Sequence, residues 1–247
     1  MRTLVIGDVH SCLDELRALI MQIGYDPSCD QLVFLGDLID RGPDPVGVVE
    51  YVRQLHNANP RVCTVVGNHD EKAYRYLHKQ DIERAGGKRN PMALPDPVRL
   101  KEWESQGESN RKWLETLPVF TEPLPGWLAV HAGFEADKPL SEQKPDKMMR
   151  VRFLDPVTGK MKPYVEGTLD QPVDSVMWME MWSGPQNVVY GHAVHSLDAP
   201  RVDRINGVEC WGIDTGCVFG GHLTALELET RQVFQVKAAR AYSERIE

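Results

Sequence analysis

Gly36-Asp37-Leu38-Ile39-Asp40-Arg41-Gly42 directly follows the apolar run Leu32 to Leu35, and its reading decides the fold. The apolar run reads as a buried strand. Where that strand would end, two carboxylates and a guanidinium stand between two glycines. A turn or a helix cap explains one such carboxylate, but not the combination. A dinuclear metal site with a phosphate clamp explains all of it. The device recurs along the chain. Gly7-Asp8-Val9-His10 follows Leu4-Val5-Ile6, and Gly67-Asn68-His69-Asp70 follows Val62 to Val66. His131-Ala132-Gly133 follows Trp127 to Val130, and Gly191-His192 follows Val188-Val189-Tyr190. Each of these apolar runs delivers a metal-grade side chain within a residue or two of its end.

The residue types set the chemistry. Asp8, His10 and Asp37 combine carboxylate and imidazole, which suits Mn²⁺, Fe²⁺ or Zn²⁺ better than an all-oxygen set would. Alternating residues of an extended segment point the same way, so Asp8 and His10 are expected to face one ion. Asn68, His131 and His192 are expected to hold a second, with Asp37 as the bridge. Two ions about 3.5–4 Å apart can trap a hydroxide and clamp a transferring phosphoryl group. Arg41 offers a planar fork of donors for two phosphate oxygens. His69 is expected to project differently from its neighbour Asn68 and to protonate a leaving group, with Asp40 fixing its ring.

Outward from these motifs, the first 80 residues alternate strand, loop and helix. Leu13, Leu16, Ile20 and Ile23 follow helical spacing, with Ser11 and Asp14 as the expected start and Gly24 as the stop. A second helix is expected from Pro43 or Pro45, and a third after Asn68-His69-Asp70. This order predicts a largely parallel sheet. Residues 80–125 and 134–176 are Pro-rich, polar and poorly periodic. They are expected as insertions bordering the site within a single domain spanning 1–247. Trp103, Trp113, Trp178 and Trp182 read as packing residues, with base stacking as the alternative. The chain closes with strand-like runs at Val208 to Ile213, Leu223 to Leu228 and Val233 to Val236. Glu229-Thr230-Arg231-Gln232 reads as the hairpin turn between the last two.

A chain of 247 residues can bury a sizeable core. Its net charge of −8 argues against a duplex nucleic-acid partner, whose affinity comes from phosphate neutralisation by Lys and Arg. Two divalent ions would bring that charge from −8 to −4, so the site itself can be positive. No apolar run approaches the roughly 18 residues that cross a bilayer. Met1-Arg2-Thr3 leads straight into the first apolar run, leaving no room for a signal peptide. The five cysteines are odd in number and lack Cys-x-x-Cys spacing, so reduced thiols in the cytoplasm are expected.

In their order, Gly-Asp-x-His, Gly-Asp-x-x-Asp-Arg-Gly, Gly-Asn-His-Asp, His-Ala-Gly and Gly-His resemble the metallophosphoesterases of the phosphoprotein phosphatase superfamily. The resemblance implies a calcineurin-like α/β/β/α sandwich with two mixed sheets. It implies Asp8, His10 and Asp37 at one metal and Asp37, Asn68, His131 and His192 at the other. It also implies the pair His69–Asp40 as acid and Arg41 as clamp, with manganese as the first choice of ion and Fe, Zn, Ni or Co as others. Ile213-Asp214-Thr215-Gly216-Cys217-Val218-Phe219-Gly220-Gly221 is similar to a bacterial branch. That branch includes symmetrical diadenosine tetraphosphatases and the phosphatase module of polynucleotide kinase-phosphatases. Arg150-Val151-Arg152-Phe153 also resembles that branch, which implies a phosphate contact from Arg152 or, next, Arg150. Asp214 is expected to support the metal ligands from behind. Asp70 stands where the family has Glu, and Ser11 where it has Gly. The implied substrate is a dinucleoside polyphosphate such as diadenosine tetraphosphate, cleaved to two ADP. A phosphoprotein or an RNA end on the same core is the alternative, and a catalytically silent metal-binding module the contrary reading.

Overall fold

Alternation within the apolar runs sets the layers of the molecule. The computed structural model describes residues 1–164, 171–205 and 207–244. Strand β1 (Thr3–Ile6) sends Leu4 and Ile6 to one hydrophobic cluster and Val5 to another. In β2 (Gln31–Phe34), Leu32 and Phe34 join the first cluster and Val33 the second. β3 (Val62–Thr64) lies beside β2. Strand β5 (Trp127–Val130) places Trp127 and Ala129 in that same second cluster, while Leu128 and Val130 join a third. β8 (Asn187–Tyr190) repeats the pattern, with Val189 inward and Val188 and Tyr190 outward. Period-two alternation with both faces apolar requires a sheet covered on both sides. The middle cluster is therefore the seam between two sheets, and each outer cluster packs under helices or loops.

Each of these two sheets has five strands among the described residues. The first runs β12 (Val233–Lys237), β11 (His222–Glu227), β1, β2, β3. The second runs β4 (Phe120–Leu124), β5, β8, β10 (Val208–Gly212), β9 (Arg201–Ile205). The largely parallel sheet expected from the first 80 residues holds only for β1–β2–β3. β11 pairs antiparallel with β1, and β12 with β11, so the sheet is mixed. The second is mixed too: β5–β8–β10 are parallel, and β4 and β9 run against them at the edges. The strand that reverses β1's neighbourhood lies more than 200 residues away, beyond the reach of local alternation.

Helices α1 (Leu13–Gln22), α2 (Pro45–Ala58) and α3 (Asn68–Arg84) cover the first sheet. α2 starts as expected at Pro45, with Asp44 accepting from the Gly47 N–H. α1 does not start at Ser11. Its N-cap is Cys12, with no side-chain cap bond, and Ser11 is left-handed at φ 62°. Tertiary hydrogen bonds decide this: His10 N–H donates to Asp37 O (2.8 Å) and Ser11 N–H to Leu38 O (2.9 Å). Those bonds clamp the two motif loops together and delay the helix by a residue.

Of the expected insertions, residues 80–125 contain α4 (Pro97–Ser105), α5 (Glu108–Leu114) and, at their end, edge strand β4. Residues 134–176 contain α6 (Pro145–Met148) and a small ribbon of β6 (Phe153–Leu154) with β7 (Val176–Met177). Positions 165–170 of that stretch lie outside the described residues. No described helix is long and apolar enough to cross a membrane.

The N-terminal strand is anchored by Asp30, which accepts from Arg2 Nε (3.2 Å) and from the Asp26 N–H (3.0 Å). Burial opposes its charge, but Arg2 and the Asp26 N–H hold its pKa down at about 2. A carboxylate depressed below its unfolded value of about 3.9 stabilises above that value, and its contribution is lost as pH falls through the folded value. Denaturant midpoints measured from about pH 5 down to about pH 2 should therefore fall more steeply for the wild type than for Asp30→Asn. Equal slopes would remove Asp30 from the acid-denaturation account.

Candidate active site

The motif loops converge at the ends of β1, β2, β3, β5 and β8. Asp8, His10, Asp37, Asp40, Asn68, His69, Asp70, His131, His192 and Asp214 are all buried there. Two glycines explain how the backbones come so close. A Cβ on Gly67 would stand 2.1 Å from Asp37 Oδ1, and one on Gly191 would stand 1.9 Å from Asp8 Oδ1. His10, Asp37, Asp40, Arg41 and His192 all have positive φ, between 42° and 72°. Each such conformation costs on the order of 1–3 kcal/mol and persists where surrounding structure over-determines it. Strain gathered on these residues points to a site rather than to a turn.

Ring nitrogens are oriented by their outer partners. His10 Nδ1 lies 2.9 Å from Ile39 O, and His131 Nδ1 lies 2.7 Å from Leu35 O. Both Nδ1 atoms therefore donate, and both Nε2 atoms face inward. His192 is turned the other way. The Tyr164 hydroxyl donates to Arg150 O (2.7 Å), so it accepts from His192 Nε2 at 2.9 Å. That leaves the lone pair of His192 Nδ1 facing Asn68 Oδ1 at 2.9 Å, with His131 Nε2 also 2.9 Å from the same oxygen. Burial, with Arg152 and His131 nearby, holds His192 well below the ordinary histidine range, so this ring is neutral. Two acceptors face each other at hydrogen-bond distance, which is the arrangement a cation satisfies.

Asp37 stands between two groups of ligand atoms. One is Asp37 with His131 and His192, and the other is Asp37 with His10 and His69; within each group the atoms lie within 4.8 Å of one another. Asp37 Oδ2 is 3.4 Å from His131 Nε2 and 3.5 Å from His10 Nε2. Burial would raise its pKa, but His131, His69 and His10 overcome this and hold it well below the usual range. Conversely, Asp37 draws His131 up against the effect of burial. Burial and the nearby Arg41 push His10 down to about 3. Asp8 is drawn well above the usual range by burial and by Asp214 and Asp37. Its carboxylate accepts the His192 backbone N–H at 3.1 Å. Among the described residues, no group of three ligand atoms at this spacing contains Asp8. Crowded buried carboxylates that resist a common charge are another mark of a cation site.

Other expected residues fall around this centre. Asp70 accepts from the Leu38 N–H (3.0 Å) and the Gly67 N–H (3.1 Å), tying β2's loop to the start of α3. Burial and Asp37 raise its pKa to about 7. Asp214 accepts from the Gly216 N–H at 2.9 Å, and burial raises its pKa. Arg41 Nη1 approaches His10 Nε2 at 2.7 Å while its guanidinium lies over Phe219, 5.3 Å from the ring centroid. The two candidate arginines differ. Arg150 is paired with Glu71 at 2.6 Å, whereas Arg152 donates to His192 O (3.1 Å) and lies over the Tyr164 ring. His195 lies beyond the centre, 3.3 Å from the Tyr190 hydroxyl.

The deepest unexpected contact is made on Asp40. This carboxylate, 0 % exposed, takes His69 Nδ1 at 2.6 Å and Trp103 Nε1 at 2.7 Å, with Arg99 Nε at 3.3 Å. Burial opposes its charge, yet His69, Arg99 and Trp103 hold its pKa below the usual range. Trp103 is buried, as its packing reading required, but its indole also donates into the centre. Arg99 and Trp103 share one face of α4 by their i, i+4 spacing; nothing local links that face to residue 40. Tyr164 lay equally out of reach, in a stretch without periodicity. Trp103→Phe keeps the packing and orphans Asp40 Oδ1. It should cost about 1–3 kcal/mol in denaturant unfolding and about 10–100-fold in kcat, as loss of an outer-shell partner does. A variant within twofold of wild type in both would show the contact to be idle.

Comparison with known proteins places this arrangement. The calcineurin-like phosphoesterase profile matches residues 1–223. The asymmetrical bis(5'-nucleosyl)-tetraphosphatase PrpE of Bacillus subtilis (strain 168) is 33% identical, covering 97% of this chain and 96% of its own. The symmetrical bis(5'-nucleosyl)-tetraphosphatase of Dechloromonas aromatica (strain RCB) is 28% identical, covering 96% of each. A crystal structure provisionally labelled a diadenosine tetraphosphatase superposes with a TM-score of 0.74 at 25% identity, covering 96% of this chain and 93% of its own. A yeast serine/threonine phosphatase superposes at 0.55 with 14% identity, covering 96% of this chain and 79% of its own, a likeness of fold alone.

Proposed function

Because the chain belongs to the calcineurin-like phosphoesterase family, and is thus a metal-dependent phosphoester hydrolase, we propose that it cleaves dinucleoside polyphosphates. The preferred substrate is diadenosine tetraphosphate, split to two ADP. The observation that carries the catalytic part is the convergence of Asp37, His131, His192 and Asn68 on one cation position, beside His69–Asp40. The substrate part rests on full-length similarity to proteins named as tetraphosphatases of both kinds.

In this reading Asp8, His10 and Asp37 hold one divalent ion, and Asp37, Asn68, His131 and His192 the other. Mixed N and O ligands favour manganese, with Fe, Zn, Ni and Co as the other fits. When bound, such ions supply Lewis-acid charge at the phosphoryl oxygens and acidify water. The chain's own groups do the rest. Arg41, on its Phe219 platform, presents its fork to two phosphate oxygens. Arg152, at the His192 carbonyl, is the nearer of the two candidate arginines to the ligand set and adds a second positive contact. Arg150 is committed to Glu71 and acts at most by holding Tyr164 through its carbonyl oxygen. His69 donates Nδ1–H to Asp40, which leaves Nε2 to hand its proton to the leaving oxygen. Asp70 and Asp214 brace the loops from behind. Residues 1–247 act as one catalytic unit in this reading, with α4 forming part of its wall. Five free cysteines support a cytoplasmic location.

The second reading is asymmetrical cleavage. The Bacillus subtilis relative, named asymmetrical, is 33% identical, whereas relatives named symmetrical stand at 28–30%. A four-phosphate bridge cut at its centre yields two ADP; cut at an outer linkage it yields ATP and AMP. Manganese-loaded protein incubated with diadenosine tetraphosphate, with products separated by anion exchange, decides between them. ADP alone supports the first reading and equimolar ATP and AMP the second. Rapid phosphopeptide turnover without nucleotide release would overturn both in favour of a phosphoprotein phosphatase.

A further inference from the structure

Behind the active site, on the helix side of the first sheet, Cys12, Glu15 and Cys217 bring two sulfurs and a carboxylate oxygen within 4.8 Å of one another. All three are buried: Cys12 is 0 % exposed, Glu15 4 % and Cys217 2 %. Cys12 caps α1, Glu15 lies in its first turn, and Cys217 comes from the loop between β10 and β11. The two sulfurs belong to one close group of ligand atoms, and the Cys12 thiol donates to His10 O at 3.4 Å. Glu15 is half satisfied. Its Oε1 accepts from the Ala239 N–H (3.0 Å) and the Tyr242 hydroxyl (2.7 Å), while the buried Oε2 has no hydrogen-bond partner. An orphaned carboxylate oxygen in an apolar cluster is a costly feature that pairing or a cation would relieve.

We propose that Cys12, Glu15 and Cys217 form a third cation site, for a thiophilic divalent ion of the zinc type. Two thiolates and one carboxylate select against Mg²⁺, Ca²⁺ and Mn²⁺ and favour Zn²⁺. Zn–S bonds of about 2.3 Å and Zn–O bonds of about 2.1 Å require donor separations of roughly 3.5–4 Å, which is compatible with ligand atoms that all lie within 4.8 Å of one another. The His10 carbonyl oxygen beside Cys12 is a further oxygen donor at the cluster. Binding releases two thiol protons to solvent and leaves the cysteines unoxidised. The site is structural. It would pin the loop bearing His10 to the loop bearing Asp214, and both to the segment of Ala239 and Tyr242, so that an ion here stiffens the active site without entering it.

Cadmium tests this without reference to activity. The dinuclear centre offers only nitrogen and oxygen ligands, so an ultraviolet thiolate-to-cadmium charge-transfer band reports the cysteine cluster. Full-length protein carrying Cys29→Ser and Cys63→Ser is stripped with chelator, reduced and titrated with Cd²⁺ alone. The expected result is a saturable band, with one more bound Cd²⁺ per chain than in the same protein carrying Cys217→Ser, where the band is lost. Should the Cys217→Ser variant fail to fold, Glu15→Gln carries the test, with cadmium affinity at this site falling about tenfold or more, because a neutral amide replaces a charged ligand. Absence of the band, a band indifferent to Cys217→Ser, unchanged affinity in Glu15→Gln, or recovery of Cys12–Cys217 as a disulfide from reducing buffer would each overturn the proposal.

Discussion

Asp37→Asn is expected to lower kcat by about 10²–10⁴ and to strip at least one metal equivalent from the protein. The substitution keeps the side chain's shape and removes its charge. Asp37 Oδ1 accepts the His69 backbone N–H at 2.9 Å, a bond that an amide oxygen can still accept. Oδ2, lying 3.4 Å from His131 Nε2 and 3.5 Å from His10 Nε2, is the atom shared by the two ligand groups. Breaking a buried charged interaction by removing one partner costs about 3–5 kcal/mol, and each 1.36 kcal/mol or so is a factor of ten in rate or affinity. Metal content by elemental analysis and kcat under saturating manganese should therefore fall together. Two retained metal equivalents with turnover within tenfold of wild type would refute Asp37 as the bridge.

How much of this was legible in the sequence depends on the distance over which each feature is determined. The strand ends were legible because an apolar run such as Leu4-Val5-Ile6 is a local property, as a strand buried on both faces requires. The meeting of Asp40 with His69, 29 residues apart, was legible by chemical need: an imidazole meant to give up a proton needs an acceptor to orient it. Ser11 offers a capping pattern that is local, whereas the bonds of residues 10 and 11 to Asp37 and Leu38, which set where the helix starts, are tertiary. Trp103 was half legible. Its apolar body announced burial, but an indole N–H aimed across 63 residues at Asp40 leaves no trace in periodicity. Tyr164 is the plainest gap. It orients His192 from a stretch with neither helical nor strand spacing, and only the proton count of its hydroxyl, donated to Arg150 O, exposes the role.

His69→Asn is expected to lower kcat by about 10²–10⁴, with a loss that depends on the leaving group. A general acid matters most when the departing oxygen is a poor leaving group. An alkyl phosphate such as phosphoserine should lose the most; an aryl phosphate such as p-nitrophenyl phosphate and the phosphoanhydride of a dinucleoside tetraphosphate, whose departing groups are weakly basic, should lose the least. The geometry admits a competing role, because the ligand atom of His69 lies within 4.8 Å of those of His10 and Asp37, and its ring meets that of His10 edge-on at 4.9 Å. A ligand and an acid are separable by measurement. If His69 is the acid, the asparagine variant keeps both metal equivalents, and its rate loss grows with the basicity of the leaving group. Asp40→Asn should then reproduce part of that trend, since it removes the charge that fixes Nδ1 while leaving Nε2 in place. If His69 is a ligand, metal content drops and the rate loss is the same for every substrate. Since Nδ1 is already tied to Asp40 at 2.6 Å, only Nε2 remains to serve either purpose. One nitrogen cannot hold an ion and deliver a proton in the same turnover, so the two outcomes exclude each other.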